Sequence, residues 1–450
     1  MDFILIILLA ALCLAIFVSS LTGPPDTIYK LPFLTSAVTL GWYLPQVVSI
    51  AMFKGPEQYP GFGEALTMSI LCMLAIWVGY LPASVPAARR YTRPPDTLFD
   101  IDRLQYGALF LAIIGFFFRF RVAGLASSAG TQWSGAITIY FFFFQALNYA
   151  YVLSLLCVLK RPNFLGLSIF AFTLILKFES VLVARRAETI KLFLVVALAL
   201  WFHRRIAASK ALTVTLIVAA SVAVLGVGDL RRTIISTDEA GQRSVSGLSL
   251  EAIQQVDFLR AAEIYLRYSS HEARNQIILS DHVAEHGLFT YGLNYWNYYV
   301  FRYVPAQIVG PETKLAMMSD YGIVPRSTPF YDSVPGSTTT GFYDAYAAFW
   351  FFGCLVFFVI SRIMRNLYDH AMVGNLLHQS LYCVLILEGM QSVTHSTEWF
   401  FAPIPQIALF FGPIFVWAYI RPQSNRVQGR RAAAPKPDAN RQVPVASIGD

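Results

Sequence analysis

FILIILLAALCLAIFVSSL, residues 3–21, carries no charged group along its whole length. A run this long and this apolar fits the bilayer's hydrocarbon core, which a helix crosses in roughly 20 residues. Asp2 stands before it where a secretory signal would carry basic residues, and no small-residue cleavage site follows, so the run is read as a retained helix. Comparable runs recur at 32–53, 64–85, 104–121, 136–159, 164–183, 189–202, 211–229, 342–363, 374–394 and 399–420. The expected fold is therefore an all-α polytopic membrane protein with about eleven transmembrane helices. The run at 189–202 is short for a full span and is expected to tilt against its neighbours or to be partly re-entrant.

The composition agrees with this reading. Apolar residues make up 56% of the chain and charged residues 14%, against about 25% charged in a soluble domain. The net charge of +7 does not point to nucleic acid, because the basic residues gather in short loops beside helix ends. Arg89, Arg90, Arg93 and Arg103 lie between the third and fourth helices, Lys160 and Arg161 after the fifth, Arg204, Arg205 and Lys210 after the seventh, and Arg362 and Arg365 after the ninth. If the helices alternate, all these connections share one side, which the positive-inside rule makes the cytoplasm. The N-terminus is then outside, and the chain divides into helices one to eight (1–230), a large extracytoplasmic loop (231–340), helices nine to eleven (341–420) and a basic, disordered cytoplasmic tail (421–450).

The loop holds nine Lys/Arg and eleven Asp/Glu and is too long to be structureless. Residues 249–279 read as helical, with Arg260, Glu263 and Arg267 on one stripe that suits an ion-pair ladder. Residues 289–303 are dense in aromatic side chains and Asn, and Pro305, Pro311, Pro325, Pro329 and Pro335 then interrupt any regular element. The five cysteines all lie in apolar runs, so neither a disulfide framework nor a thiolate metal site is expected. There is no GxxxxGK[ST] loop, no HExxH pair and no Gly-Xaa-Ser-Xaa-Gly elbow, and no cofactor is expected. Asp100-Ile101-Asp102 reads as a solvated loop. No internal repeat is visible, which weighs against a transporter built from paired halves.

Some charges break the topology rule. Arg185 and Arg186 fall in the outer turn between helices six and seven, with Lys177, Glu179, Glu188 and Lys191 close by, and Arg119 and Arg121 mark the outer end of helix four. Charge at membrane depth is costly and is by default a functional hypothesis. Guanidinium groups at the outer leaflet suit a lipid pyrophosphate, whose oxygens they bind bidentately. Mutual pairing, such as Lys177 with Glu179, is the bland alternative. A second group lies at the outer ends of helices nine to eleven: Asp344, Glu388, Gln391, His395 and Glu398. These residues suit a base for a sugar hydroxyl, and equally suit interhelical hydrogen bonds.

GSTTTGFYDAYAAFWFFGCLVFFVISRIMRNLYDHA, residues 336–371, resembles the Wzy-type polymerases of O-antigen, capsule and exopolysaccharide repeat units. Those proteins close their large loop with a Gly/Ser/Thr-rich stretch and open the next helix with an acidic-Ala-Tyr start. Thr338, Thr339, Thr340, Gly341, Asp344, Ala345, Tyr346, Phe349, Gly353, Leu367 and Tyr368 carry the match. Upstream, YVFRYVPAQIVGPETK (299–314) is similar to a loop segment of that family through Arg302, Pro305, Pro311 and Lys314. VARRAETIKLFLVVALALWFHRR (183–205) resembles the basic outer turn shared with O-antigen ligases, whose essential arginine falls on Arg185 or Arg186. The likeness covers residues 164–371. In the family the loop often reads Pro-Arg, whereas here Arg302 precedes Pro305.

The resemblance implies a GT-C-like membrane glycosyltransferase of the bacterial inner membrane that needs no nucleotide sugar. Its donor is a glycan on undecaprenyl pyrophosphate and its acceptor is a repeat unit on a second such lipid. Partners are membrane lipids and, in the same pathway, a chain-length regulator and a flippase. Arg185, Arg186 and Arg302 are the expected pyrophosphate clamps. Asp344 or His395 would orient or deprotonate the acceptor. Lys314, Thr338, Thr339 and Tyr346 are expected to bind substrate, and Trp296 and Tyr299, with Tyr291, Tyr295, Tyr298 and Tyr303, to stack on sugars or to anchor the loop at the interface. An O-antigen ligase, a flippase or other transporter, and a structural member of an export complex are the competing readings.

Overall fold

The computed structural model describes residues 2–55, 59–82, 94–125, 137–182, 186–219, 235–237, 243–245, 260, 263, 271–319 and 337–420. Where described, each of the eleven apolar runs is helical; residues 83–85 of the third and 220–229 of the eighth lie outside the described residues. The first eight form α1 (Asp2–Thr22), α2 (Leu31–Phe53), α3 (Phe62–Gly79), α4 (Ile101–Leu125), α5 (Ile137–Lys160), α6 (Phe164–Leu182), α7 (Arg186–Arg204) and α8 (Lys210–Ala219). Seven helices of the described residues are long and apolar enough to cross a membrane. The chain is a multi-pass α-helical membrane protein. Large apolar side chains such as Phe120, Phe164 and Val416 are 75%, 87% and 78% exposed, a surface that only lipid or another protein would cover favourably.

In the large loop, a short antiparallel pair joins β1 (Ile235–Thr237) to β2 (Arg243–Val245). Arg260 and Glu263 are both helical, and the rest of that stretch up to residue 270 lies outside the described residues. The loop continues through α9 (His271–His286) and α10 (Leu293–Tyr303) to two short turns of helix, Ala306–Val309 and Pro311–Ala316. The chain then re-enters the bundle as α11 (Gly341–Phe349), α12 (Cys354–Met372), α13 (Leu376–Thr394) and α14 (Ile404–Ala418), the last preceded by one turn, Glu398–Phe401.

Contacts between loops sort the connections into two ends of the bundle. At one end, Lys210 Nζ donates to the Gly23 carbonyl, Arg205 to Met372, Arg365 to Tyr80, Arg362 to Leu81 and Arg103 to Trp417, while Asp100 and Ile420 exchange backbone hydrogen bonds with Ala418 and Leu98. At the other end, α9 packs on α3 and α11, and α10 meets the 397–402 turn. Among the described residues, Arg103, Arg205, Lys210, Arg362 and Arg365 share the first of these ends; Arg89, Arg90, Arg93 and the tail after 420 lie outside the described residues. Small residues let the helices approach closely. A Cβ on Gly79 would stand 2.7 Å from the Phe358 carbonyl oxygen, and one on Gly107 would stand 2.4 Å from Ile414.

Three elements differ from the sequence expectation. The span expected at 342–363 is two helices, because a 3₁₀ turn at Trp350–Gly353 separates α11 from α12. Trp350 takes φ 53°, and a Cβ on Gly353 would lie 1.8 Å from the Ala345 carbonyl oxygen, so tight local folding breaks the span. Helix α7 is a continuous helix of 19 residues, longer than the 189–202 run, because its charged first turns find partners inside the bundle. In α2, π turns at Thr39–Tyr43 and Ile50–Lys54 interrupt the helix, the first beside Pro45, whose nitrogen cannot donate.

Candidate functional site

The site grows from the start of α11. Thr340 holds φ 68°, its hydroxyl caps the Tyr343 N–H at 3.3 Å, and it donates to Gln276 Oε1 at 2.8 Å. Gly341 lies so close to α13 that a Cβ there would overlap the Ser392 carbonyl oxygen at 1.6 Å. That contact fixes Asp344, one turn along, against the turn leading into α14. Asp344 is 9% exposed. Its Oδ1 accepts from Asn294 Nδ2 at 3.0 Å, and its Oδ2 accepts from the Thr397 N–H at 3.0 Å and from the Thr397 hydroxyl.

Helix α10 presents two stripes at a spacing of four residues, so each stripe keeps one face of the helix. Tyr295, Tyr299 and Tyr303 dock the helix on the 397–402 turn: Tyr295 meets Thr397 Oγ1 at 2.7 Å, Tyr299 donates to the Phe401 carbonyl at 2.7 Å, and Tyr303 donates to the Ala402 carbonyl. Asn294, Tyr298 and Arg302 form the second stripe. The Asn294 amide reaches Asp344 and also Glu398 Oε1, at 3.3 Å, while its oxygen accepts from Thr290 Oγ1 at 2.8 Å. Arg302 NH1 donates to Tyr298 Oη at 2.8 Å, and its guanidinium lies over the rings of Tyr298 and Tyr303 at 5.8 and 5.9 Å. Among the described residues no carboxylate pairs with Arg302. Burial holds the Tyr298 phenol above its ordinary pKa; Arg302 pulls it down, and Glu398 and Glu388 push it up. The phenol thus stays protonated and accepts from the Arg302 cation.

His395 sits in the same turn, with Nδ1 2.8 Å from Thr394 Oγ1 and its ring 5.0 Å from Trp399. Burial lowers its pKa, so it is neutral at neutral pH. Thr338 Oγ1 donates to the Thr394 carbonyl at 2.6 Å and ties the loop's end to α13, with half-buried Thr339 beside it. Tyr346 is buried, and its hydroxyl donates to Glu64 Oε2 at 3.0 Å. Lys314 Nζ donates to the Phe301 carbonyl at 2.6 Å, and Trp296 Nε1 donates to the Met317 carbonyl at 2.7 Å, which leaves the Trp296 ring half exposed. Arg185 lies outside the described residues, and Arg186 is placed only as the first residue of α7.

Among the described side chains near the outer turn of α6 and α7, both lysines are paired, while the side chains of Glu179, Arg185 and Arg186 lie outside the description. Lys177 Nζ meets Glu188 Oε2 at 3.0 Å and the Asn148 side-chain oxygen, and Lys191 Nζ meets Glu388 Oε1 at 2.7 Å. Lys177 therefore pairs with Glu188 across two helices. The carboxylates of Glu188 and Glu388 serve these buried lysines.

Asn294 brings Asp344 and Glu398 together, and Arg302, bonded to Tyr298, lies two turns further along the same face of α10. Asn294 is the residue that sequence reasoning missed; its signal was the spacing of four that aligns it with Tyr298 and Arg302. Comparison with protein-family models, with curated proteins and with solved structures finds no match for this chain.

Proposed function

We propose that this protein is a membrane glycosyltransferase that polymerises lipid-linked oligosaccharide repeat units at the outer face of a bacterial cytoplasmic membrane, crossing it about eleven times with the basic loops inside. Undecaprenyl pyrophosphate is the leaving group. The observation that carries the reading is Arg302. A part-buried guanidinium with aromatic neighbours and no carboxylate partner is suited to an external anion, and it stays charged at any relevant pH. A pyrophosphate gains negative charge as the sugar departs, so a fixed cation favours the transition state over the ground state. Asp344 and Glu398, gathered by Asn294 on the same face of α10 as Arg302, supply what an attacking hydroxyl needs. Arg185 and Arg186 are proposed as further clamps on the resemblance alone.

The test is a polymer ladder from cells lacking the protein, complemented with wild type, Arg302→Ala, Arg302→Lys or Arg185→Ala plus Arg186→Ala at equal membrane levels. The expected result is single repeat units without the protein, long chains with wild type, and chain growth reduced about 100-fold or more by Arg302→Ala. Lysine should rescue poorly, because it offers a point charge in place of a planar fork. Long chains that remain unattached to their final carrier in the deletion would mean a ligase. Absence of any glycan at the outer leaflet would mean a transporter.

A further inference from the structure

We propose that Glu398 takes the proton of the acceptor hydroxyl and that Asp344 is a positioning carboxylate; the inference rests on the polymerase reading above. The two carboxylates share one amide but are not equivalent. Asp344 is buried and committed on both oxygens, to Asn294 on one and to the backbone and hydroxyl of Thr397 on the other. Glu398 is half-buried, and its contacts are long: 3.3 Å from Asn294 Nδ2 and 3.5 Å from Ser396 Oγ, at the outer limit of hydrogen bonding. Burial and the neighbouring Asp344 push the Glu398 carboxyl well above the usual carboxylate range, so the ionised form that accepts a proton is the minority near neutral pH and turnover should rise with pH. Asn294 cannot turn away, since Thr290 holds its oxygen and Asp344 receives its amide. The amide therefore sets where Glu398 stands. Tyr298 follows Asn294 by one turn on the same face of α10 and accepts from Arg302, so the anion receptor stands on the helix stripe whose amide reaches Glu398. His395 is the weaker candidate, because Thr394 occupies its Nδ1 and Trp399 covers its ring.

The step balances with these groups alone. The acceptor oxygen bonds to the donor's anomeric carbon, and the bond from that carbon to the pyrophosphate oxygen breaks with its electron pair on the phosphate. The hydroxyl proton passes to Glu398, which later releases it to water.

The test uses the full-length protein in nanodiscs, lipid-linked repeat units extracted from cells lacking it, and undecaprenyl pyrophosphate as a binding probe. Glu398→Gln keeps the side chain's shape. Turnover should fall about 100-fold or more, within the range of general-base contributions, while probe binding stays within about two-fold. Glu398→Asp should retain part of the rate. Asp344→Asn should cost less and displace the acid limb of the pH–rate profile. The groups set against Glu398 are Asp344 on α11, Asn294 on α10 and Ser396 on its own turn, with the Tyr295 and Tyr298 phenols of α10 near enough to feel its charge. Wild-type turnover in Glu398→Gln, with polymer made by the wild type, overturns the assignment and leaves the polymerase reading standing. Loss of probe binding together with rate makes Glu398 structural and also overturns it. Failure of the wild type to extend the units overturns both.

Discussion

Arg302 shows how one side chain acquires meaning from its neighbours. Its helix offers phenols at Tyr298 and Tyr303, which solvate the guanidinium by ring face and hydroxyl without neutralising it. His395 gives a pH prediction at this scale. Its folded-state pKa lies below the unfolded value of about 6.5, so the neutral ring is the form the fold accommodates. The stability this contributes is fully present above the unfolded value and is lost as pH falls from there through the lowered folded value. Melting temperatures at pH 7.5 and 5.5 should therefore converge in His395→Gln relative to wild type. Sequence alone made Arg302, Asp344, His395 and Glu398 candidates, because charge near a membrane is costly and few residues carry it there. It did not show that Asp344 is saturated and Glu398 is not, since that depends on where Thr397 and Asn294 turn.

At the scale of elements, α7 illustrates what hydropathy misses. Its first turns hold Arg186, Glu188 and Lys191, and read alone they shorten the span. Lys191 finds Glu388 197 residues further along, and no local pattern reveals a partner so distant. Both side chains of that pair are largely buried, so removing one partner strands the other charge. Lys191→Met or Glu388→Met alone should each cost about 3–5 kcal/mol, and the two together should cost much less. Thermal unfolding in detergent across this double-mutant cycle measures the difference. The break at Trp350–Gly353 was illegible for another reason. No proline marks it; it follows from the close approach of Gly353 to Ala345 and of Gly341 to Ser392. The docking stripe of α10 was half legible: the tyrosines were visible, and their hydroxyl partners on the 397–402 turn were not.

The whole molecule is a bundle with two chemically distinct ends. One gathers basic loops tied to backbone carbonyls, and the other gathers α9, α10 and the polar network around Asp344. The helices were legible because bilayer thickness imposes a length on each, and the division into ends followed from counting them. The proposed orientation predicts the accessibility of single cysteines in a cysteine-free background. Tyr291→Cys should react with an impermeant maleimide from the outside, and Arg161→Cys only after permeabilisation. The reverse pattern would invert the topology.

The interruption between α11 and α12 bears on how the site experiences its solvent. Helix α11 is tied to the loop and its neighbours through Asp344, Tyr346 and the Ala347 carbonyl, which accepts from Thr290 N–H at 2.8 Å. Helix α12 packs on α3 and α13 within the bundle. When the bilayer thins or thickens, a continuous helix would answer by tilting along its whole length and carry its end residues with it. A break at Trp350–Gly353 would let α12 change its tilt without α11 turning with it, and the hydrogen bonds that hold Asp344 to Asn294 and Thr397 would then be spared the adjustment.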